Sequence, residues 1–140
     1  MFMLYLKNLK SKVPAFNLQE LLVVLVIIGI LLLLALPNLM PLISKTKSLE
    51  AQTQLKHISN LQRQYFFMYS TYSNDFVTLD YEIPQTVLQN GNANYAYELL
   101  ETTNSSFKVR ATAVTDFDGD GIFNMWEIDQ NQIPLEVIKD

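Results

Sequence analysis

Residues 16–36 read FNLQELLVVLVIIGILLLLAL. From Leu21 to Leu36 the run is apolar without interruption, and Gly29 is its one residue without a side chain. As a helix the whole stretch is about 31 Å long at ~1.5 Å per residue. A bilayer core of about 30 Å needs roughly 20 apolar residues to cross it, so this stretch is long enough for one span. Lys7, Lys10 and Lys12 precede it, and Lys45 is the next basic residue after it. Basic flanks stay on the cytoplasmic side, which predicts an N-terminus inside the cell and the rest of the chain outside.

Glu20 does not fit a plain anchor. A carboxylate at membrane depth costs on the order of 3 kcal/mol and marks a functional position by default. A glutamate at the interface, near a helix N-terminus whose dipole favours negative charge, is the simpler alternative. The residue type alone leaves both open. An ordinary secretory signal peptide fits less well. Its apolar region is about 7–15 residues long and leads into a small-x-small cleavage site. Here the run is followed by Pro-Asn-Leu-Met-Pro, and Ala35 stands alone.

The order of features is a basic leader, a small residue, Phe, three residues, Glu and then the apolar run (KSKVPA, residues 10–15, then FNLQELLVVLVIIGILLLLALPNL). It closely resembles the N-terminal signature of type IV pilins and type II secretion pseudopilins. The resemblance is dense over some 25 residues of this chain. It implies cleavage by a prepilin peptidase between Ala15 and Phe16, followed by N-methylation of Phe16. It implies that Glu20 aids assembly by pairing with the free N-terminus, Phe16, of a neighbouring subunit. The family usually carries Gly before the cut, where this chain has Ala15. The fold expected from the resemblance is α+β and pilin-like, with a long N-terminal helix packed on a small antiparallel sheet. Half of that helix would span the membrane and half would be amphipathic. The expected organisation is a leader at residues 1–15, a transmembrane and assembly half-helix at 16–43, and a periplasmic or extracellular domain at 44–140. Expected partners are copies of the same chain in a fibre, the prepilin peptidase, and inner-membrane secretion or pilus assembly proteins.

Composition narrows the remaining choices. The 140-residue chain carries a net charge of −4. Removing the leader takes three of the ten basic residues and no acid, which moves the charge to −7 (−4 − 3). An acidic outer domain argues against phosphate-backbone binding as its main task. There is no cysteine, so disulfides and thiolate chemistry are excluded. His57 is the single histidine. No nucleophile–base pair, phosphate loop or histidine–carboxylate cluster is visible, and an enzyme is not expected. Many pilins staple their C-terminal region with a disulfide, and this chain needs another device.

Along the chain, Pro37 and Pro41 lie four residues apart on the predicted helix. Each removes a backbone donor, which predicts a kink or a locally melted segment over residues 33–41. A membrane helix ending at Pro37, with a second helix starting near Ser44, is the alternative. From Ser44 to Tyr69, Leu55, Ile58, Leu61, Tyr65, Met68 and Tyr69 recur at three- and four-residue steps, the pattern of an apolar stripe. Residues 70–94 read as a connecting loop, with brief strands or turns at Phe76–Leu79 and Thr86–Leu88. Tyr95–Leu100 and Phe107–Val114 alternate as strands around a hairpin turn. A third strand is expected near Met125–Ile128, and Ile133–Ile138 is a last short segment.

The second motif is DFDGDGIFNMWE, residues 116–127. It fits the EF-hand calcium template at every specified position. Calcium takes six to eight oxygens at about 2.3–2.6 Å. Asp116, Asp118 and Asp120 would supply carboxylates, Ile122 a backbone carbonyl, Asn124 a side-chain or water-mediated contact, and Glu127 two oxygens. Gly121 would permit the sharp turn. A surface turn rich in Asp and Gly is the plain alternative. The upstream neighbour is a strand, so the expectation is an EF-hand-like loop between strands, with structural calcium replacing the missing disulfide. Three readings result: a pseudopilin for type II secretion, a type IV pilus subunit for adhesion, motility or DNA uptake, and a monomeric membrane-anchored calcium-binding module.

Overall fold

The computed structural model describes residues 15–140, so the leader assigned to residues 1–15 lies, Ala15 apart, outside the described residues. The helix α1 covers Leu18–Tyr69. By contacts the chain divides into a unit ending at Pro37 and a second unit, Asn38–Asp140. In the first, α1 is long and apolar enough to cross a membrane, and none of its most apolar window is buried inside the molecule. Helical backbone continues through both Pro37 and Pro41. The segment does not melt there, nor does the helix end at Pro37. Proline fixes φ close to the helical value, so the helix persists at the cost of the missing donors.

In the second unit, α1 buries Ser44, Ser48, Ala51, Leu55, Ile58 and Gln62 at three- and four-residue steps. The start of this stripe is made of small residues, which hydropathy does not reveal. Its expected far end, Met68 and Tyr69, is exposed instead. The helix stops at Ser70, whose φ of 55° is left-handed and whose N–H still reaches the Phe66 carbonyl at 2.8 Å. Gln62 then pins the reversal: its Nε2 donates to the Ser73 carbonyl at 2.7 Å and its Oε1 accepts from the Ser73 N–H at 2.9 Å.

The sheet has four antiparallel strands in sequence order: β1 (Tyr95–Thr102), β2 (Phe107–Ala113), β3 (Met125–Asp129) and β4 (Leu135–Ile138). An α+β fold, a long N-terminal helix packed on a small antiparallel sheet, is therefore what the chain adopts. Alternation in β2 turns Phe107, Val109, Ala111 and Ala113 inward and leaves Lys108, Arg110 and Thr112 partly exposed. The inward set joins Ala51, Leu55 and Ile58 of α1 with Tyr95, Tyr97 and Ile128 in one core. The last segment, β4, is a full member of the sheet, with Met125 opposite Ile138.

Between α1 and β1 the loop forms no strand, and a single bridge joins Thr86 to Ala93. A short 3-10 turn at Val87–Gln89 ends on Asn90 at φ 62°. Gly91 follows, where a Cβ would stand 2.0 Å from the Gln85 carbonyl oxygen, a close approach only glycine permits. Glu50 of α1 ties down the end of the loop, accepting from the Asn94 N–H at 2.9 Å and from its Nδ2 at 2.7 Å.

Candidate functional site

Two places in the chain carry chemistry. At the first, Ala15 and Phe16 precede α1 and are exposed, Phe16 at 83%. Glu20 lies in the first turn of α1, and its Oε2 accepts from the Asn17 N–H at 3.1 Å. A carboxylate three residues into a helix that reaches back to the N-cap N–H satisfies a donor otherwise left open. The charge also faces the positive end of the helix dipole.

The second place is the acidic loop between β2 and β3. Its backbone folds around its own carboxylates. Asp116 accepts from the Gly119 N–H at 2.7 Å and, through its other oxygen, from the Gly121 N–H at 2.6 Å. Asp118 accepts from the Asp120 N–H at 3.1 Å, and Asp120 from the Ile122 N–H at 2.7 Å. Gly119 and Gly121 both sit at φ 86°, the left-handed region that L side chains avoid. The N–H groups of Gly121 and Gly119 favour the ionised form and hold the Asp116 carboxyl below its ordinary value.

Asp140 completes the cluster. One oxygen from each of Asp116, Asp118, Asp120 and Asp140 lies within 4.8 Å of the others. Asp140 Oδ2 accepts from the Phe117 N–H at 3.0 Å, while its Oδ1 is buried without a hydrogen-bond partner. Lys47 lies nearby but rests on the Phe117 ring, 4.4 Å from its centroid. Among the described residues no ion pair reaches these four carboxylates. An orphaned oxygen and four crowded like charges fit a hard cation.

The remaining template positions go elsewhere. Ile122 stays in the loop, with its side chain 45% exposed. Glu127 is on β3, opposite Arg110, and accepts from Arg110 Nε at 2.9 Å and Nη2 at 2.6 Å. It does not join the carboxylate cluster. The reason is that the EF-hand spacing brings position twelve back through a helix, whereas here a strand follows the loop and carries Glu127 along the sheet. Asn124 is 0% exposed and equally unavailable. Its Oδ1 accepts from the Tyr95 hydroxyl and from Trp126 Nε1, both at 2.7 Å. Its Nδ2 donates to Glu136 at 2.8 Å and to the Ile138 carbonyl at 3.0 Å.

Asp140 has no local signal in the sequence. It reaches the loop because β4 returns antiparallel to β3, a pairing that no spacing rule specifies.

No protein-family model matches this chain. No curated protein matches it significantly either.

Proposed function

We propose that the chain is a structural subunit of the pilin and pseudopilin kind. A prepilin peptidase cuts it between Ala15 and Phe16, Phe16 is N-methylated, and the product polymerises from the inner membrane into a fibre. The observation that carries this reading is the apolar half of α1, exposed along its length and headed by a single carboxylate. Such a surface marks a membrane or protein–protein contact, and in this reading it serves first in lipid and then against other copies of the chain. Within one subunit, Glu20 is capped by the neutral Asn17 N–H. In the fibre's dry core, the cationic amine of a neighbour's Phe16 is the stronger partner, since charge-assisted hydrogen bonds exceed neutral ones. A lone buried carboxylate there would be costly, so Glu20 sets the register between subunits. Type II protein secretion is the favoured machine.

The acidic loop belongs to the same reading as a staple. Asp116, Asp118, Asp120 and Asp140 would hold calcium, which would neutralise their repulsion and lock the end of the chain to the β2–β3 loop.

The deciding experiment compares the proteins in the culture medium with and without the gene in its native host. Specific exported proteins retained in the cell on deletion support a pseudopilin. Unchanged export moves the pilus reading ahead, with surface fibres as the next count. Glu20→Ala should insert into the membrane yet reduce assembly, and normal fibres from that variant would refute the role of Glu20.

A further inference from the structure

Charge is segregated within the Asn38–Asp140 unit. From Ser44 to Tyr69, α1 carries Lys45, Lys47, Lys56 and Arg63 against one acid, Glu50. The loop at residues 70–94 carries Asp75, Asp80 and Glu82 and no basic residue. This loop runs along one flank of the helix. There Glu50 holds Asn94, Gln54 Oε1 accepts from the Tyr81 hydroxyl at 3.1 Å, and the His57 and Tyr81 rings lie 5.8 Å apart. At about 100° per residue, Lys56 stands about 160° round the helix from Gln54 and about 100° from His57. Arg63, two turns further on, returns to the flank of Lys56.

The two flanks are complementary in charge and alike in exposed apolar surface. Lys56 and Arg63 share their flank with Leu49 and Phe67, both exposed, Phe67 at 72%. On the loop, Asp80 and Glu82 are accompanied by Val77 and Ile83, also exposed, Val77 at 82%. All four charged side chains are exposed, and none makes an ion pair among the described residues. Arg63 gives one long hydrogen bond, 3.4 Å, to Gln132 Oε1 and rests over the Phe67 ring. The hollow beside Arg63 is walled by aromatic rings and amides, with no carboxylate. Apolar contact supplies area, and opposite charges fix register and exclude wrong partners.

We propose that the loop of one copy, through Asp80 and Glu82, docks on the Lys56 and Arg63 flank of a second copy of this chain. Val77 and Ile83 then meet the exposed Leu49 and Phe67 of that copy. The two surfaces lie on different flanks of one helix, so the contact is head-to-tail. Every pairing leaves one loop and one flank unused, and the contact propagates where a two-fold dimer would close. The inference rests on the fibre reading above and adds to it the outer-domain surface that joins neighbours.

The chain has no cysteine, so an introduced one reports alone. One full chain carries Asn60→Cys, an exposed position between Lys56 and Arg63, and another carries Ile83→Cys on the loop. All four charges are kept. The two chains replace the parent together in the native host, and a short bismaleimide is added. A linked pair of the two chains is expected, with far less linking when either chain is present alone. Lys56→Glu with Arg63→Glu in the first chain should lower the linked fraction about tenfold, because like charges then face each other. Adding Asp80→Lys with Glu82→Lys to the second chain should restore it. Circular dichroism checks that each chain is folded, and Lys56→Glu alone decides if the double reversal is not. No link between the two chains, equal linking in either chain alone, or no rescue between folded reversed chains overturns the proposal. So does a link to a different protein with none between copies. An amine-reactive crosslinker on the parent reads the fibre separately. Multimers of the parent without the link from position 60 to position 83 remove this interface and leave the fibre. A parent that forms no multimers removes both.

Discussion

Asn124 offers the sharpest test, because template and fold give it opposite roles. The calcium template makes it a ligand. The fold makes it a knot between β1, β3 and β4, and α1 approaches as well, with Ser48 Oγ at 3.5 Å. Asn124→Ala removes four hydrogen bonds, but their losses are unequal. The Tyr95 ring is 0% exposed, so its hydroxyl loses its acceptor and gains no water. An orphaned buried group costs about 1–3 kcal/mol. Trp126 and Glu136 reach solvent and recover part of their loss, and the missing amide leaves a small void. Together these come to about 3 kcal/mol. At about 4–8 °C per kcal/mol for a domain of this size, Tm should drop by roughly 12–24 °C. The assay is thermal unfolding of the Asn38–Asp140 unit followed by near-ultraviolet circular dichroism, in chelator and in calcium. A structural role predicts the full loss in both. If the variant matches the parent in chelator and differs only in calcium, Asn124 is a ligand and the hydrogen-bond reasoning is wrong.

Four further outcomes follow from the same geometry. Calcium should raise the Tm of the Asn38–Asp140 unit, since saturation at about 100 times Kd contributes about 2.7 kcal/mol. The rise should vanish in Asp140→Asn and survive in Glu127→Gln, and no rise at millimolar calcium would remove the staple from the account. In chelator, Arg110→Met should cost about 1–2 kcal/mol by leaving Glu127 unpaired on a partly covered sheet face, as read by urea unfolding. Gly91→Ala should cost roughly 1–3 kcal/mol, because the new methyl group meets the Gln85 backbone and must push the loop apart. Hydrogen exchange should then show faster opening at Ala93, whose N–H bonds the Gln85 carbonyl. The last concerns alkaline pH. Burial first, and then the charge of Glu50, pushes Tyr81 up to about 12. Burial also dominates in Tyr95, which is raised to about 12, and in Tyr97, which is raised as well. The folded state therefore holds these protons more tightly than the unfolded chain, whose tyrosines titrate near the ordinary value of about 10. That stability is complete below about pH 10 and is lost as pH climbs through about 12. Tyrosinate absorbance should lag in these residues and then rise together with unfolding.

Much of the fold was legible because its signals are local. The apolar run from Leu21 to Leu36 shows its length and hydropathy without reference to the rest of the chain. Alternation in Phe107–Ala113 sorts inward from outward residues without reference to partners, and the β2 burial pattern follows it. The aspartates at 116, 118 and 120 converge because neighbouring N–H groups and two left-handed glycines fold a short loop around them, an arrangement encoded within six residues. Where local pattern failed, a distant partner intervened. Hydropathy could not select Ser44, Ser48 and Gln62 as buried positions. They are covered because Asp140, Asn124 and Ser73 meet them from elsewhere in the chain.

The sequence by itself determined an apolar half-helix headed by Glu20, an amphipathic continuation, a run of strands and an acidic turn. Periodicity and backbone stereochemistry act over a few residues, so they need no tertiary context. Only the tertiary structure decided which oxygens share a point in space. It took Glu127 out of the acidic cluster and gave it to Arg110, buried Asn124 as a knot between strands, and brought Asp140 back to the loop through the β3–β4 pairing. Strand register sets those distances, and register is a property of the whole sheet rather than of any one of its strands.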